Sequence, residues 1–378
     1  MFSNGRSNDA WEVDSYIYWG SEGGYRESDR SGLPTLNAKQ NTMADLDGDG
    51  WLDIVFSNHR DSAGFAVDSY IYWGSAEGFS EASRSGLATY AAHGHVVADL
   101  DGDGWLDVLF NSDYDGEVYL ETSTIFWGMG ERTFAEETTE LASRAALGVG
   151  GADLDMDGFP DLVIANNGDA DSTYADSYVY WGAATGFDEA DMAELPTIGA
   201  HGTALADLDH DGWLDIVFAN CSDRSTNELD SWIYWGSTSG YSTANRDGLP
   251  TVGAYGVSAA DLDGDGWDDL VFSNYSDGET QQLDSWIYWG SAAGFSDVNR
   301  TDLPTVAAVG NSVSDLDGDG WLDIVFACAN DGSGSGAGHE TDSLVYWGSE
   351  TGFSTSRTTR LPTLGSAAVS THPLEQGY

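Results

Sequence analysis

Asp45-Leu46-Asp47-Gly48-Asp49-Gly50-Trp51-Leu52-Asp53-Ile54-Val55-Phe56 sets two physical problems side by side. Its four carboxylates fall within nine residues and repel one another unless a cation sits among them. The residues that follow form a short apolar run of the β-branched and aromatic kind that suits a buried strand. The pattern D-x-D-x-D-G recurs from Asp99, Asp153, Asp207, Asp261 and Asp315, at a constant spacing of 54 residues. A second motif, [YF]-W-G, carries Trp19, Trp73, Trp127, Trp181, Trp235, Trp289 and Trp347, spaced by 54 except for a last step of 58. The 378 residues equal seven periods of 54. Self-similarity at this period marks a repeat architecture.

Within one unit the pattern is β. In the unit beginning near Ala200, His201–Ala206 reads as a first strand of small residues, followed by the acidic loop Asp207–Asp215. Leu214–Ala219 reads as a buried second strand and Ser231–Trp235 as an aromatic third. A fourth, outer strand starts at Gly240-Tyr241, and Leu249-Pro250-Thr251 is expected to lead to the next unit. No segment sustains a helical period.

Four short strands per 54 residues is the size of a propeller blade. The expected fold is all-β: a seven-bladed β-propeller of four-stranded blades, one domain over residues 1–378. An open solenoid would need a cap at each end. Instead Phe2-Ser3-Asn4 matches Phe56-Ser57-Asn58, so the chain begins in a second strand. Leu361-Pro362-Thr363-Leu364-Gly365 enters a first strand expected to run to about His372. The two ends then share a closing blade, about 363–378 plus 1–36, which leaves no free sheet edge. The seventh unit is expected to gain four residues near Gly332, within Ala329–Thr341. Pro373-Leu374-Glu375-Gln376-Gly377 stands where a seventh acidic loop would be. The closing blade therefore has no acidic loop of its own and is expected to open first.

Carboxylates at loop positions 1, 3, 5 and 9 with a backbone carbonyl at 7 make an oxygen-only donor set, which suits Ca²⁺. Softer metals would require His or Cys in these places. The first loop offers Asp45, Asp47, Asp49, Trp51 (through its carbonyl) and Asp53. The second offers Asp99, Asp101, Asp103, Trp105 and Asp107, and the third Asp153, Asp155, Asp157, Phe159 and Asp161. The fourth has Asp207, Asp209, Asp211, Trp213 and Asp215, the fifth Asp261, Asp263, Asp265, Trp267 and Asp269. Asp315, Asp317, Asp319, Trp321 and Asp323 complete the sixth, so about six Ca²⁺ are expected. An EF-hand would need flanking helices and a glutamate where Phe56 stands, and β-roll repeats recur every nine residues. The expected role is structural, each ion tying the first two strands of a blade.

These loops, with the apolar flank Trp51-Leu-Asp-Ile-Val-Phe56, resemble the FG-GAP/VCBS repeat propellers, which include the integrin α-subunit head and fungal lectins of the Psathyrella velutina type. The resemblance spans essentially the whole chain and implies a seven-bladed propeller with calcium between the inner two strands of a blade. It departs in carrying six acidic loops and a uniform D-S-[YW]-[IV]-Y-W-G strand. The lectin branch implies carbohydrate binding, multivalent because the blades repeat. The integrin branch implies the alternative of a protein-interaction or adhesion platform.

In such blades the acidic loops occupy one face. The opposite face carries the variable loops between second and third strands and the connections between blades, which is how binding faces are built. Candidate ligand contacts there are Asn58, Asp68, His93, His201, Asn220, Asp230, Tyr255, Asn274 and Asp284, for Asn, Asp and aromatic edges suit a sugar. Trp11 is the one tryptophan in a variable loop. No G-x-S-x-G, Cys–His pair or phosphate loop is present, so a non-enzymatic protein is expected, with a hydrolase or lyase as the remote alternative.

The formal charge of −51, with a single lysine (Lys39), excludes nucleic acid and anionic membranes as partners, since both are held by clustered Lys and Arg. A hydrophobic fraction of 41% is too high for a disordered acidic chain. No apolar run reaches membrane-spanning length, so no membrane insertion is expected. Cys221 and Cys328 are expected to be unpaired. Met1–Gly5 shows no signal peptide and lies inside a repeat, as in an excised domain. A monomer at the cell surface or outside the cell, meeting a glycan or an extracellular protein, is the expected setting.

Overall fold

Every apolar run becomes a strand buried along nearly its whole length, as in Asp53–Asn58, Asp161–Asn166 and Asp323–Cys328. The computed structural model describes residues 1–21, 24–333 and 338–372. It contains seven four-stranded antiparallel sheets. In the fourth complete blade the strands, from the axis outward, are Ala200–Ala206, Asp215–Asn220, Glu228–Tyr234 and Arg246–Val252. The first strand of each sheet packs on the first strand of the next, in an unbroken cycle through all seven. The ring is therefore a propeller. Among the described residues the only helical pieces are three short 3₁₀ turns, at Glu27–Asp29, Glu81–Ser83 and Glu189–Asp191.

The closing sheet runs Ser366–Val369, Phe2–Asn4, Glu12–Tyr18, Arg30–Leu36, so one strand from the C-terminal end completes three from the N-terminal end. Three details differ from the sequence reading. Leu249-Pro250-Thr251 is no linker; it lies within the outer strand Arg246–Val252, an edge where proline's missing N–H costs no ladder bond. The last first-strand stops at Val369 rather than His372, because its partner begins only at Met1, although Ser370 N still donates to Met1 O. The four-residue insertion belongs to the blade before the closing one, between Asp323–Cys328 and Glu340–Tyr346. The alignment of Pro373–Gly377 with an acidic loop lies outside the described residues.

The apolar core sits between blades. One cluster joins Val217 and Ile233 of one blade to Leu270, Phe272 and Tyr288 of the next. The Y-W-G tyrosines add a polar pin to six of the seven junctions, the exception being the blade that carries Phe126 instead. Tyr18, Tyr72, Tyr180, Tyr234, Tyr288 and Tyr346 donate their hydroxyls at 2.5–2.8 Å to a carbonyl of the preceding blade, Pro362 in the case of Tyr18. Inside six blades a buried Ser–Thr network replaces apolar packing: Ser69 Oγ lies 2.8 Å from Thr89 Oγ1 and accepts from Asn58 N. The serine of D-S and the threonine that follows Pro (Ala88 in this blade) thus mark the two halves of a single hydrogen bond. Cys221 and Cys328 are buried and free, and burial pushes both thiols up to about 12.

Candidate metal and ligand sites

Each acidic loop leaves the first strand, turns twice and enters the second. Both turns use left-handed backbone. Position 6 has φ between +90° and +97° at Gly50, Gly104, Gly158, Gly212, Gly266 and Gly320, a region in which a Cβ is strained. Position 4 sits nearer +60° to +75°, where Met156 and His210 are accommodated alongside four glycines. The turns fold the carboxylates back onto the loop's own amides. Asp45 accepts from Asp49 N at 3.1 Å and Gly50 N at 3.0 Å, and Asp49 accepts from Trp51 N at 2.9 Å.

The ninth-position aspartate does more than close the loop. Asp53 accepts from Leu46 N at 2.9 Å and from Gly74 N at 2.8 Å, the latter being the glycine of Y-W-G. Asp107, Asp161, Asp215, Asp269 and Asp323 make the same two bonds, to Gly128, Gly182, Gly236, Gly290 and Gly348 among others. The two sequence motifs are therefore one site. Their constant 21-residue offset in five loops was the signal that could have revealed it.

The carboxylates converge. Oxygens of Asp45, Asp47 and Asp53 lie within 4.8 Å of one another, as do those of Asp99, Asp101 and Asp107, of Asp153, Asp155 and Asp161, and of Asp207, Asp209 and Asp215. In the fifth loop the close set is Asp261, Asp263 and Asp265. The sixth loop, with Asp315, Asp317, Asp319 and Asp323, repeats the same hydrogen bonds. Burial raises the ninth-position carboxyl to about 6 in Asp53, Asp107, Asp161 and Asp323, and to about 7 in Asp215 and Asp269. Two amide donors oppose that rise, and neighbouring aspartates add to it.

Two further observations fit a hard cation. Asp99 Oδ1 is buried without a hydrogen-bond partner among the described residues. In the first loop the guanidinium of Arg132, from the next blade, takes up Asp47 and Asp49, the latter at 3.0 Å. A positive group thus already pairs with two of this loop's carboxylates. The position-7 residues Trp51, Trp105, Phe159, Trp213, Trp267 and Trp321 have helper roles visible in two places. The Trp267 ring stacks on His210 of the preceding loop at 4.2 Å, and the Phe159 ring lies against Gly102.

Residues 45–110, 153–218, 207–272 and 261–326 each match the FG-GAP-like repeat, together more than half of the chain. The chain belongs to the FG-GAP-like repeat family. No curated protein matches it. One solved structure of similar fold is a nidogen/laminin complex, 8% identical, with a TM-score of 0.44 over 79% of this chain and 96% of that one. Among the described residues of this FG-GAP propeller, no helix is long and apolar enough to cross a membrane.

The opposite face sorts the other candidates into three groups. Asn58, Asn220 and Asn274 are fully buried braces: each donates through Nδ2 to the carbonyl of Asp68, Asp230 or Asp284, and accepts an amide from the last residue of the preceding blade's outer strand, Leu36, Ile198 or Val252. Asp68, Asp230 and Asp284 themselves are exposed on their third strands. His93, His201 and Tyr255 are brought together around the propeller axis, lining one cavity with Trp11. The sequence reading missed a fourth group, the arginines that open the outer strands. Arg30, Arg84, Arg246 and Arg300 stack on Tyr16, Tyr70, Trp232 and Trp286 at 3.6–4.0 Å.

Proposed function

We propose that this FG-GAP propeller is a calcium-stabilised, non-enzymatic module that binds carbohydrate outside the cell through clefts repeated between its blades. The repeated pairing of an arginine with an aromatic ring carries the reading. In each such blade an exposed aspartate stands two residues before the ring (Asp14, Asp68, Asp230 and Asp284), hence on the same face of the strand. Carboxylate, guanidinium and ring then offer an acceptor, a donor fork and an apolar platform within one cleft, the groups a sugar requires. Between the closing blade and its predecessor such a cleft has a volume of about 660 Å³ and is lined by Tyr16, Arg30, Asp342 and Arg360. Repetition of weak sites around one rigid ring gives avidity toward multivalent glycans.

Calcium's part is to hold the scaffold beneath those clefts. The aspartates that would ligate it are the ninth-position residues and their loop partners, and bound calcium would hold them ionised against the burial that favours their neutral form. A site saturated at a hundredfold over its Kd adds about 2.7 kcal/mol of stability, so six loops together would dominate the melting temperature. A glycan array probed in millimolar Ca²⁺, repeated with Trp232→Ala and Trp286→Ala, tests the binding reading. Glycan signals that fall in both variants are expected. Absence of any glycan signal would leave a protein-interaction platform in its place. Thermal melts with and without chelator test the metal: equal midpoints would remove calcium from the account.

A further inference from the structure

The seven-fold repeat that governs the rest of the molecule breaks down at the axis. The second residue of each first strand lines one cavity, of about 520 Å³, on the face opposite the acidic loops. Around the ring these residues are Lys39, His93, Leu147, His201, Tyr255, Val309 and Ala367. The Lys39 ammonium and the His93 imidazole, which burial holds neutral, stand on two neighbouring blades and face an aromatic arc on two others, with aliphatic residues completing the circle. Core packing would have no reason to make this ring so unequal.

The wall is also the reverse of the protein's surface. The chain holds 64 acidic residues, yet none is among the described residues that line this cavity. Its only lysine is there, with Arg6 and three of its seven histidines, His93, His201 and His339. Arg60 stands close behind, and the Trp11 ring lies between it and Arg6, at 4.8 and 4.7 Å from the two guanidiniums. The nearest opposing charge belongs to Asp113, half-hidden behind the wall beside His59. Burial and the neighbouring Arg6 and Arg60 hold the Lys39 ammonium below its ordinary range, against the pull of Asp113.

Several polar groups on the wall are unspent. The Lys39 ammonium, the His201 ring nitrogens and the Tyr255 hydroxyl make no hydrogen bond to any described residue, and none is sealed from solvent. Opposite Lys39, the rings of His201, Tyr255 and Tyr275 form a continuous cluster, with centroids 3.9 and 4.5 Å apart and planes tilted by 38° and 42°. The volume falls in the range of small-ligand sites.

We propose that this cavity is a second, single binding site for a uronic-acid-type ligand: a sugar ring that carries a carboxylate. Lys39 and Arg6 receive the carboxylate, and the clustered aromatic rings receive the apolar face of the sugar. Long-range repulsion from a chain of charge −51 does not prevent this at physiological salt, where charges beyond about 8 Å are largely screened. The site is independent of the inter-blade clefts, which differ from it in stoichiometry and in residues.

Isothermal titration calorimetry on the full chain in Ca²⁺, with sodium glucuronate, sodium galacturonate, glucose and sulfate as separate probes, tests the assignment. One uronate per chain is expected, with glucose and sulfate each at least tenfold weaker. Lys39→Gln should weaken the uronate at least tenfold without moving the melting temperature, and Arg6→Gln serves if that variant does not fold. Trp232→Ala, in a cleft, should leave this binding unchanged. Failure of both uronates to bind, glucose or sulfate binding as tightly, or undiminished affinity in Lys39→Gln and Arg6→Gln would each overturn the proposal. Loss of uronate binding in Trp232→Ala alone would move the ligand to the clefts, with the same consequence.

Discussion

Single residues in this protein are constrained less by their own chemistry than by which backbone approaches them. The glycine of Y-W-G is a clear case, because its φ is ordinary and nothing in the tripeptide explains it. A Cβ on Gly74 would stand 2.2 Å from Leu52 O, since the end of the third strand must come close enough for Gly74 N to reach Asp53. The same contact recurs at Gly128, Gly182, Gly290 and Gly348, each 2.2 Å from a carbonyl of its own acidic loop. Gly64, in a variable loop, has nothing within 4 Å. Gly74→Ala should therefore cost about 1–3 kcal/mol, the range for forced overpacking, and should weaken calcium at the first loop by displacing Asp53. Gly64→Ala should leave stability within about 0.5 kcal/mol of the parent. Urea unfolding of both variants checks the pair, and equal midpoints would show that the third-strand end can move away from its loop. The period of 54 pointed to these positions, but the contact between two motifs far apart in sequence became visible only with the sheet in place.

At the scale of elements, strands and their order were legible because each obeys a local rule: a buried apolar run, an aromatic alternating strand, a Gly-rich turn. The outer strand was read less well. Leu249-Pro250-Thr251 carries a proline that argues against a strand, yet its strand lies at a sheet edge and its Thr251 hydroxyl bonds Ser231 in the third strand. Tertiary context overrode local preference there. The same tripeptide also supplies the junction, for Tyr288 donates to Pro250 O at 2.6 Å across the blade boundary. Tyr288 is fully buried, so Tyr288→Phe would leave the carbonyl short of its partner without opening a cavity. The expected loss is about 1–2 kcal/mol, the cost of one unmade buried hydrogen bond. The double variant with Tyr234→Phe, which acts on the preceding junction at Pro196, should lose the sum of the two single effects if junctions are independent. Denaturant midpoints of the singles and the double measure this. A loss well beyond the sum would mean that adjacent junctions open as one unit.

Over the whole molecule, ring closure, blade number and the face carrying the acidic loops were all readable from a period and from where the ends fall within it. The unequal ring of side chains around the axis was not, because there the repeat fails, and a self-comparison weighs agreement above departure. The same contrast determines how the ring opens. Six blades join their first and second strands over long ladders, as in Ala200–Ala206 against Asp215–Asn220, and an acidic loop staples each of them. The closing blade joins only Phe2, Ser3 and Asn4 to Val369, Ala368 and Ser366, and this pairing crosses the two chain ends instead of a covalent turn. Opening it breaks few hydrogen bonds and releases two segments at once, so its free energy should lie well below that of global unfolding. Hydrogen exchange should therefore reach the amides of Phe2–Asn4 and Ser366–Val369 before those of the other six inner pairs. Chelation should narrow the difference by loosening the stapled blades and leaving the closing one as it was. A cross-link between the ends, through cysteines in place of Ser3 and Ala368, should slow exchange in this blade and raise the melting temperature by several degrees. Uniform exchange around the ring would show instead that the propeller opens only as a whole, with the Tyr18 bond to Pro362 and the apolar contacts of Phe2 and Val369 holding the closure as firmly as the stapled loops hold theirs.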